Sequence, residues 1–523
     1  MSALREMFND NSKFLTGAEL VTTRGIIQQE NSRKITDFAD SLIADKRVDW
    51  ISVTDNAGGN PMLSPDYLGS RILAGGKQPI IHITCKDRNR NALESQAWTY
   101  ASIGLQNLLV LSGDYPIDGF NGIAQPVFDV DSPGLLQLLT DMNNGMRIRG
   151  RKPNTYLNLD KTSFFLGCCV SPFKRSEAEQ MMQYQKLMIK IKAGAHFVIP
   201  QLGYDIRKSF ELLQYMKKNN LNVPLIGNIY RLTAGVARIF NKGLIPGCVV
   251  SDKLFEAIQK ASESADKGKS FFISLAAKQA AAFRAMGCRG IYIGGIEKHE
   301  DFDAILTRAE EYRNTDWRDF VNELVFPRSG EFYFYPRSEI GLPENAESPQ
   351  RSERYAEHTT LLYRFSRLLH AAVFAYRAPF FGVCRKIFHL LETKIKKLYS
   401  AEYFLERMSK AALFECRECG DCSLPDVTYL CPQSQCAKNQ RNGPCGGSLD
   451  DKCEVAATGK YCIWVKAYSR TKHFKDSPLL DRPPVIKNNA LNGTSGWANC
   501  FLLRDHNAYQ FEASKLQPSK EIK

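Results

Sequence analysis

The chain has 523 residues, too many for one ordinary domain, so we expect two or three domains. A composition of 44% hydrophobic and 24% charged residues is typical of a globular protein with a sizeable core. The formal net charge of +13 would suit a nucleic-acid-binding protein, but the basic residues are scattered and no DNA- or RNA-binding motif accompanies them. We therefore expect no nucleic-acid partner.

The chain also shows no signal for secretion or membrane insertion. Its first ten residues contain no apolar segment of the kind found in secretory signals. The most apolar later segment, 368–383, contains Arg377 and Pro379 and is shorter than the roughly 20 residues that a membrane-spanning helix needs. We expect a cytoplasmic protein without a membrane span.

Eight short apolar segments alternate with helical segments over the first 300 residues. The predicted strands are 17–23, 48–54, 79–84, 108–111, 163–169, 196–201, 223–228 and 290–295. The predicted helices are 30–44, 87–104, 176–193 and 269–286. This alternation predicts an α/β fold, a (β/α)8 TIM barrel. A doubly wound sheet is the alternative, but it usually carries a G-x-G-x-x-G turn after its first strand, and the sequence has none there.

Acidic and polar residues recur at the carboxyl ends of these strands, where barrel enzymes build their active sites. They are Glu19, Thr54, Asp55, His82, Thr84, Asp114 and Gln201. Glu19 lies in an apolar strand and must face the barrel interior or a ligand, because burying an unpaired carboxylate is costly. Glu19 and Asp114 together suggest one proton donor with a raised pKa and one ionised partner. His82 also fits a core histidine, and Thr54 and Thr84 also fit ordinary strand residues.

The sequence changes character after the barrel. We predict a (β/α)8 barrel domain at 1–328, a linker at 329–354, a basic helical segment at 355–413, a cysteine-rich domain at 414–475 and a tail at 476–523. The helical segment has apolar residues at helical spacing and is interrupted near Pro379. We interpret its apolar stripes as a packing surface rather than a membrane anchor.

Eight of the 15 cysteines fall between positions 416 and 462. They are Cys416, Cys419, Cys422, Cys431, Cys436, Cys445, Cys453 and Cys462. In a reducing cytoplasm such clustering indicates metal binding rather than disulfides. The C-x2-C-x2-C run at 416–422 favours iron–sulfur ligation, whereas structural zinc more often uses separated pairs. Two [4Fe-4S] clusters, one cluster and one zinc, or two zinc ions all fit eight ligands, and the spacing leaves open which cysteine completes which site.

Several short segments resemble a known family. They are AEL at 18–20, ISVT at 51–54, IHITC at 81–85, SGDYP at 112–116, KIKAGA at 190–195, PQ at 200–201 and the segment from Gly227 to Phe240. In order and spacing they resemble methylenetetrahydrofolate reductase, a flavin-dependent (β/α)8 barrel enzyme of one-carbon metabolism and methionine biosynthesis. Residues 416–465 resemble the cysteine-rich module that some bacteria pair with this reductase.

The resemblance implies roles for individual residues. It makes Glu19 the general acid that protonates a folate nitrogen, and Asp114 the acid beside the flavin and pterin rings. It assigns FAD binding to a group of residues at the strand ends: Thr54, His82, Ser112, Gly113, Asp114 and Lys190. Gln201 would hydrogen-bond the pterin, and Phe240 would stack on folate or the nicotinamide. Reduced FAD would then transfer hydride to 5,10-methylenetetrahydrofolate and yield 5-methyltetrahydrofolate.

The chain also departs from the family pattern. Ser112 stands where the family often has Arg, and Gln183 and Lys186 stand where an acid and an Asn are common. Near the last predicted strand, the segment GGIEK at 294–298 lacks the aromatic that usually lies close to the folate.

The electron donor and the partners stay open at this point. NAD(P)H or ferredoxin could supply electrons, the latter through iron–sulfur clusters and an electron-transfer partner protein. We expect a folate substrate and a homo-oligomer. The alternatives to an oxidoreductase acting on CH–NH groups are a methyltetrahydrofolate-linked methyltransferase with a corrinoid partner and a non-catalytic folate-binding partner.

Overall fold

A computed structural model describes residues 3–152, 154–343, 360–455, 459–474 and 482–511. The chain divides into two compact units. The first comprises Met1–Arg354 and Pro444–Gly459, and the second comprises Tyr355–Gly443 and Lys460–Lys523. Two predicted metal ligands, Cys445 and Cys453, therefore belong to the same unit as the barrel.

Eight parallel strands form the sheet of the first unit. They are β1 (Leu15–Leu20), β2 (Trp50–Val53), β3 (Gln78–Thr84), β4 (Asn107–Leu111), β7 (Phe165–Val170), β8 (Phe197–Pro200), β9 (Ile226–Tyr230) and β10 (Gly290–Gly294). The spatial order is β8-β7-β4-β3-β2-β1-β10-β9, and all neighbouring pairs are parallel. A single parallel bridge between Val198 and Leu225 brings β8 to β9 and closes the ring. The predicted TIM-type barrel is confirmed.

Helices and one small hairpin surround this barrel. The helices are α1 (Ala3–Asn9), α2 (Glu30–Ala44), α3 (Pro65–Ala74), α4 (Arg90–Ser102), α5 (Ser132–Asn144), α6 (Glu177–Lys192), α7 (Ile206–Lys218), α8 (Ala234–Asn241), α9 (Asp252–Ala261), α10 (Lys269–Met286), α11 (His299–Glu311) and α12 (Val321–Leu324). The hairpin pairs β5 (Arg147–Arg149) with β6 (Tyr156–Asn158) in antiparallel register between α5 and β7. Predicted helices 30–44 and 269–286 are found with these bounds.

An apolar layer fills the amino-terminal end of the barrel. Trp50 at the start of β2 occupies the space beside Gly17, where an added Cβ would lie 2.1 Å from the indole ring. Phe8 of α1 packs on Phe165 and Phe197, with ring centroids 5.4 and 5.1 Å apart. Because this end is filled by close-packed side chains, the opposite end is left for polar groups.

The second unit is largely helical among its described residues. Its helices are α13 (Leu361–Leu369), which continues into a π-helical turn (His370–Phe374), α14 (Phe381–Lys394), α15 (Lys396–Phe414), α16 (Pro432–Gln435), α17 (Ile463–Phe474) and α18 (Gly496–Phe501). Phe381, Phe388 and Phe501 form an aromatic core within this unit. In the described ranges, none of the helices combines the length and apolar character required to cross a bilayer.

Candidate functional site

Glu19 lies near the carboxyl end of β1 and is partly buried inside the barrel. Its Oε1 accepts a 2.9 Å hydrogen bond from the Tyr292 hydroxyl on β10. Burial raises the pKa of Glu19, and the hydrogen bond from Tyr292 only partly opposes this shift. Gly294 makes room for the carboxyl group, because a Cβ there would lie 2.3 Å from Oε2. The surroundings of Glu19 therefore favour a protonated acid.

Asp114 follows β4 and faces the same end of the barrel. Its Oδ2 accepts a 2.8 Å hydrogen bond from the backbone N–H of Gly58, in the loop after β2. Gly113 has a φ of +85°, which favours glycine and turns the chain sharply after the strand. Cys248 lies near both acids: burial first, and then the charges of Asp114 and Glu19, raise the pKa of its thiol to about 12. The structure therefore brings the two predicted acids to one region.

Four buried polar atoms near these strand ends have no hydrogen-bond partner among the described residues. They are Thr54 Oγ1, His82 Nε2, Ser171 Oγ and Gln183 Nε2. Burial lowers the pKa of His82 to about 4, so its ring is neutral near pH 7. Buried polar groups normally have partners, and their absence here suits a bound ligand rich in carbonyl and ring-nitrogen groups. The isoalloxazine ring of a flavin has this chemistry.

The remaining predicted flavin-binding residues are held by local contacts. Ser112 is buried, and its hydroxyl lies 3.3 Å from that of Ser132 at the start of α5. Lys190 is buried on α6, and its ammonium donates to the backbone carbonyl of Cys169 at 2.5 Å. Lys190 therefore places its charge next to β7, close to the strand end.

One of the two predicted folate-binding residues, Phe240, lies beside an aromatic that the sequence analysis missed. Gln201 directly follows β8, and its Oε1 accepts from the backbone N–H of Leu202 at 2.9 Å. Phe240 on α8 is buried beside Tyr230, with ring centroids 5.7 Å apart. Tyr230 lies against Gly295, where an added Cβ would be 2.7 Å from its ring. Tyr230 therefore occupies the space that a side chain at position 295 would fill. The sequence analysis could have found Tyr230 as an aromatic at the end of a strand, since it is the last residue of β9.

Two other strand-end candidates are structural. Asp55 Oδ2 accepts hydrogen bonds from the Thr84 backbone N–H at 3.2 Å, from the Thr84 hydroxyl at 2.8 Å and from Arg88 at 2.9 Å. Because these groups satisfy one another, Asp55 ties the loop after β2 to the end of β3 and to Arg88.

Residues 444–455 of the cysteine-rich region pack on the barrel within the first unit. The ammonium of Lys174 donates to the carbonyls of Gly446 at 2.5 Å and Ser448 at 2.6 Å. Lys186 on α6 donates to the carbonyl of Pro444 at 3.0 Å, and burial lowers its pKa to about 8. The chain around Cys445 is therefore fixed to α6, the helix that also carries Lys190.

Four cysteines of the second unit line one cavity. They are Cys416, Cys419, Cys422 and Cys431. Lys410 on α15 also faces this cavity, 3.5 Å from the Cys422 sulfur, and Glu406 holds its ammonium at 2.9 Å. Within the described ranges, no three His, Cys, Asp or Glu side chains are already arranged as a set of metal ligands. The donor set nevertheless fits a [4Fe-4S] cluster, which takes four thiolates.

Two family models match the chain. The one described as methylenetetrahydrofolate reductase matches residues 11–310, and the one described as methylene-tetrahydrofolate reductase C terminal matches residues 397–489. Methylenetetrahydrofolate reductase 2 of Saccharomyces cerevisiae is 24% identical over 218 residues, which cover 41% of this chain and 33% of the yeast protein. The chain thus matches about a third of the length of this relative.

Two solved structures are also similar. An uncharacterized protein from Clostridium thermocellum that binds two copies of 5-methyl-5,6,7,8-tetrahydrofolic acid is 14% identical, with a TM-score of 0.41, over 60% of this chain and 99% of its own. The 2,3-dimethylmalate lyase of the PEP mutase/isocitrate lyase superfamily is 10% identical, with a TM-score of 0.33, over 59% of this chain and 84% of its own. Since the first family model covers more than half of the 523 residues, the chain belongs to the methylenetetrahydrofolate reductase family.

Proposed function

We propose that the protein is a flavin-dependent reductase that converts 5,10-methylenetetrahydrofolate into 5-methyltetrahydrofolate. The observation that carries this proposal is the pairing of Glu19 and Asp114 at one end of the barrel, with Cys248 near both. Membership of the family supports it: the family model spans both acids, and the sequence resemblance gives them the roles of the family's catalytic acids.

FAD is the cofactor that the buried groups fit. The residues that would hold it are Thr54, His82, Ser112, Gly113, Asp114 and Lys190. When bound, FAD supplies the hydride that no side chain can provide. Thr54 and His82 have buried polar atoms without partners among the described residues, so they are the groups that gain most from a bound flavin.

The side chains supply proton transfer and orientation. Glu19, whose pKa is raised by burial, holds a proton that it can donate to a folate nitrogen, which opens the methylene bridge to an iminium. The carbon then accepts a hydride and becomes the methyl group. Gln201 would hydrogen-bond the pterin, and Phe240 with Tyr230 would provide an aromatic wall beside the folate.

We further propose that Cys416, Cys419, Cys422 and Cys431 ligate one [4Fe-4S] cluster, because they line a single cavity. The other four cysteines stay predicted metal ligands: Cys436, Cys445, Cys453 and Cys462. Electrons would reach the flavin from NAD(P)H or, one at a time, from a ferredoxin-type partner through the metal centres. The cytoplasmic location and the homo-oligomeric state stay predictions.

The test is the absorption spectrum of anaerobically purified protein, read together with its iron and zinc content. We expect flavin peaks over a broad iron–sulfur absorption. 5,10-Methylenetetrahydrofolate should leave the spectrum of the oxidised protein unchanged and should restore the flavin peaks after the flavin has been reduced. Protein without flavin, prepared under conditions that retain loosely bound cofactors, would contradict the reductase proposal and favour a methyltransferase or a folate-binding protein. Zinc without iron would contradict only the proposed transfer of electrons to the flavin through iron–sulfur clusters.

A further inference from the structure

Two buried hydroxyl groups form a hydrogen-bonded chain that ends on the carboxyl group of Glu19. The Tyr292 hydroxyl donates to Glu19 Oε1 at 2.9 Å and lies 2.6 Å from the Ser52 hydroxyl on β2. Ser52 and Tyr292 are both buried. The two hydroxyl groups and the carboxyl group therefore form one connected network across three adjacent strands, β2, β1 and β10.

The ring of Tyr292 is held rigidly in this position. It stacks on Trp50 with centroids 5.2 Å apart and planes inclined by 16°. Trp50 is itself fully buried and wedged against Gly17. Since neither ring can move without opening the packed layer below it, the Tyr292 hydroxyl reaches Glu19 from a fixed direction.

The two oxygens of Glu19 therefore have different surroundings. Oε1 faces the Tyr292 hydroxyl, whereas Oε2 faces the space left by the missing side chain of Gly294. An oxygen that accepts a hydrogen bond from a fixed hydroxyl is less available to carry a proton than one that has no such donor.

We propose that Tyr292 and Ser52 are positioning residues that occupy Oε1 of Glu19, so that its transferable proton resides on Oε2, beside Gly294. This inference rests on the proposed function of Glu19 as the proton donor. It assigns roles to two residues that the sequence analysis did not single out. It also explains why the last strand ends in glycine, since a side chain at position 294 would displace the proton-bearing oxygen.

Other titratable groups that face Glu19 from neighbouring elements do not compete for this role. They are Cys169 on β7, Tyr230 on β9 and Cys248 after α8. Burial raises the pKa of each to about 12, so all three are neutral near pH 7. The charge of Asp114, like that of Glu19, contributes to the raised pKa of Cys248.

Infrared spectroscopy of the flavin-free full-length protein tests the proposal directly. The carboxylic C=O band that disappears in Glu19→Gln reports the protonation of Glu19 as the pH is raised. Tyr292→Phe keeps the stacked ring and removes only the hydroxyl. Because that hydroxyl stabilises the ionised carboxylate, we expect the midpoint pH of the Glu19 titration to rise by about one to two pH units in Tyr292→Phe.

Tyr100→Phe is the matched control, since Tyr100 is also buried and its hydroxyl accepts a hydrogen bond from Gln96 on α4, away from Glu19. It should leave the Glu19 midpoint unchanged. Ser52→Ala should shift the midpoint in the same direction as Tyr292→Phe, by a smaller amount. An unchanged midpoint in Tyr292→Phe would overturn the proposal.

The reaction supplies a second readout. In the flavin-loaded protein, the pH profile for oxidation of the reduced flavin by 5,10-methylenetetrahydrofolate should shift upward in Tyr292→Phe, together with the infrared midpoint. Gly294→Ala should abolish this oxidation and leave flavin binding intact. If the wild-type protein binds no flavin, the proposed function fails, but the infrared midpoints still decide whether Tyr292 holds Glu19.

Discussion

The chemistry of Glu19 depends on the groups that surround it. A carboxyl group in solution would be ionised at pH 7, whereas burial inside the barrel raises the pKa of Glu19 and favours the protonated form. Tyr292 limits that shift and Gly294 leaves space beside the second oxygen, so β1 and β10 together define the proton donor.

Replacing the acid by its amide isolates this role. We expect Glu19→Gln to slow oxidation of the reduced flavin by 5,10-methylenetetrahydrofolate by about 10²- to 10⁴-fold, the usual contribution of a general acid. Flavin content and the rate of flavin reduction should stay near the wild-type values, because Gln keeps the shape of the side chain. Stopped-flow absorbance of the two half-reactions separates these effects.

Glu300→Gln is the control, because Glu300 is exposed on α11 and should affect neither half-reaction. A Glu19→Gln protein that reoxidised at the wild-type rate would show that the proton comes from elsewhere.

The strand pattern was enough to predict Glu19 and Asp114 but not their supporting residues. An acid in an apolar strand stands out because its burial is costly. Tyr292 and Ser52 lie in strands that are buried on both faces, where periodicity cannot distinguish a core side chain from one at the active site. Tyr230 was missed because the predicted strand ended at residue 228, two residues too early.

At the scale of elements, residues 329–343 pack against α7. They fall within the predicted linker because of their prolines and charges. Glu331 is buried and forms ion pairs with Lys208 of α7 at 2.7 Å and with Arg328 at 2.6 Å. Tyr333 donates to Asp205 at 2.6 Å. The rest of that predicted segment, 344–354, lies outside the described residues.

Removing the charge of Glu331 should destabilise the barrel unit. Glu331→Gln would leave Lys208 and Arg328 buried without their carboxylate, and breaking such a pair costs about 3–5 kcal/mol of the free energy of unfolding. Glu323→Gln removes an exposed pair with Lys278 and should cost less than about 1 kcal/mol. Denaturant unfolding measures the loss in the free energy of unfolding for each variant. Equal losses would contradict a stabilising role for the buried ion pairs of Glu331.

The same carboxylate predicts acid sensitivity. Burial alone would raise the pKa of Glu331, but Lys208 and Arg328 lower it to about 2, below the ordinary value of 4.5. The ion pairs therefore stabilise the fold fully above about pH 4.5, and that stabilisation is lost as the pH falls from about 4.5 to 2. Glu331→Gln should lack this part of the pH dependence.

Long periodic elements were predicted more accurately than short ones. Helices α2 and α10 were predicted with the bounds they have, because their length gives several turns of consistent pattern. The β5–β6 hairpin was missed, since each strand has three residues and both are largely exposed. Such strands bury no apolar face, so their sequences lack the alternation of apolar and polar residues from which a strand is predicted.

At the scale of the whole molecule, the eight clustered cysteines are distributed over both compact units. Cys445 and Cys453 belong to the unit that contains the barrel, whereas the other six belong to the helical unit. Sequence spacing could not reveal this division, because the 47 positions from Cys416 to Cys462 look like one continuous cysteine-rich region. The four cysteines that line one cavity are the set that we propose as ligands of a single cluster.

Metal analysis tests that selection. We expect Cys416→Ser to lose about four iron atoms per chain relative to the wild type, because the [4Fe-4S] cluster needs all of its thiolates. Cys384→Ser is the matched control, since Cys384 lies on α14 of the same unit and does not line the cavity. Equal iron contents in the two variants would show that the cavity holds no cluster.

One measurement tests the central claim most directly. Anaerobic protein whose flavin has been reduced is mixed with 5,10-methylenetetrahydrofolate, and flavin absorbance and the folate product are followed together. The proposed function predicts that the flavin is reoxidised and that one 5-methyltetrahydrofolate forms for each flavin. Reduced flavin that persists in the presence of this folate, with no methyl product, would contradict it.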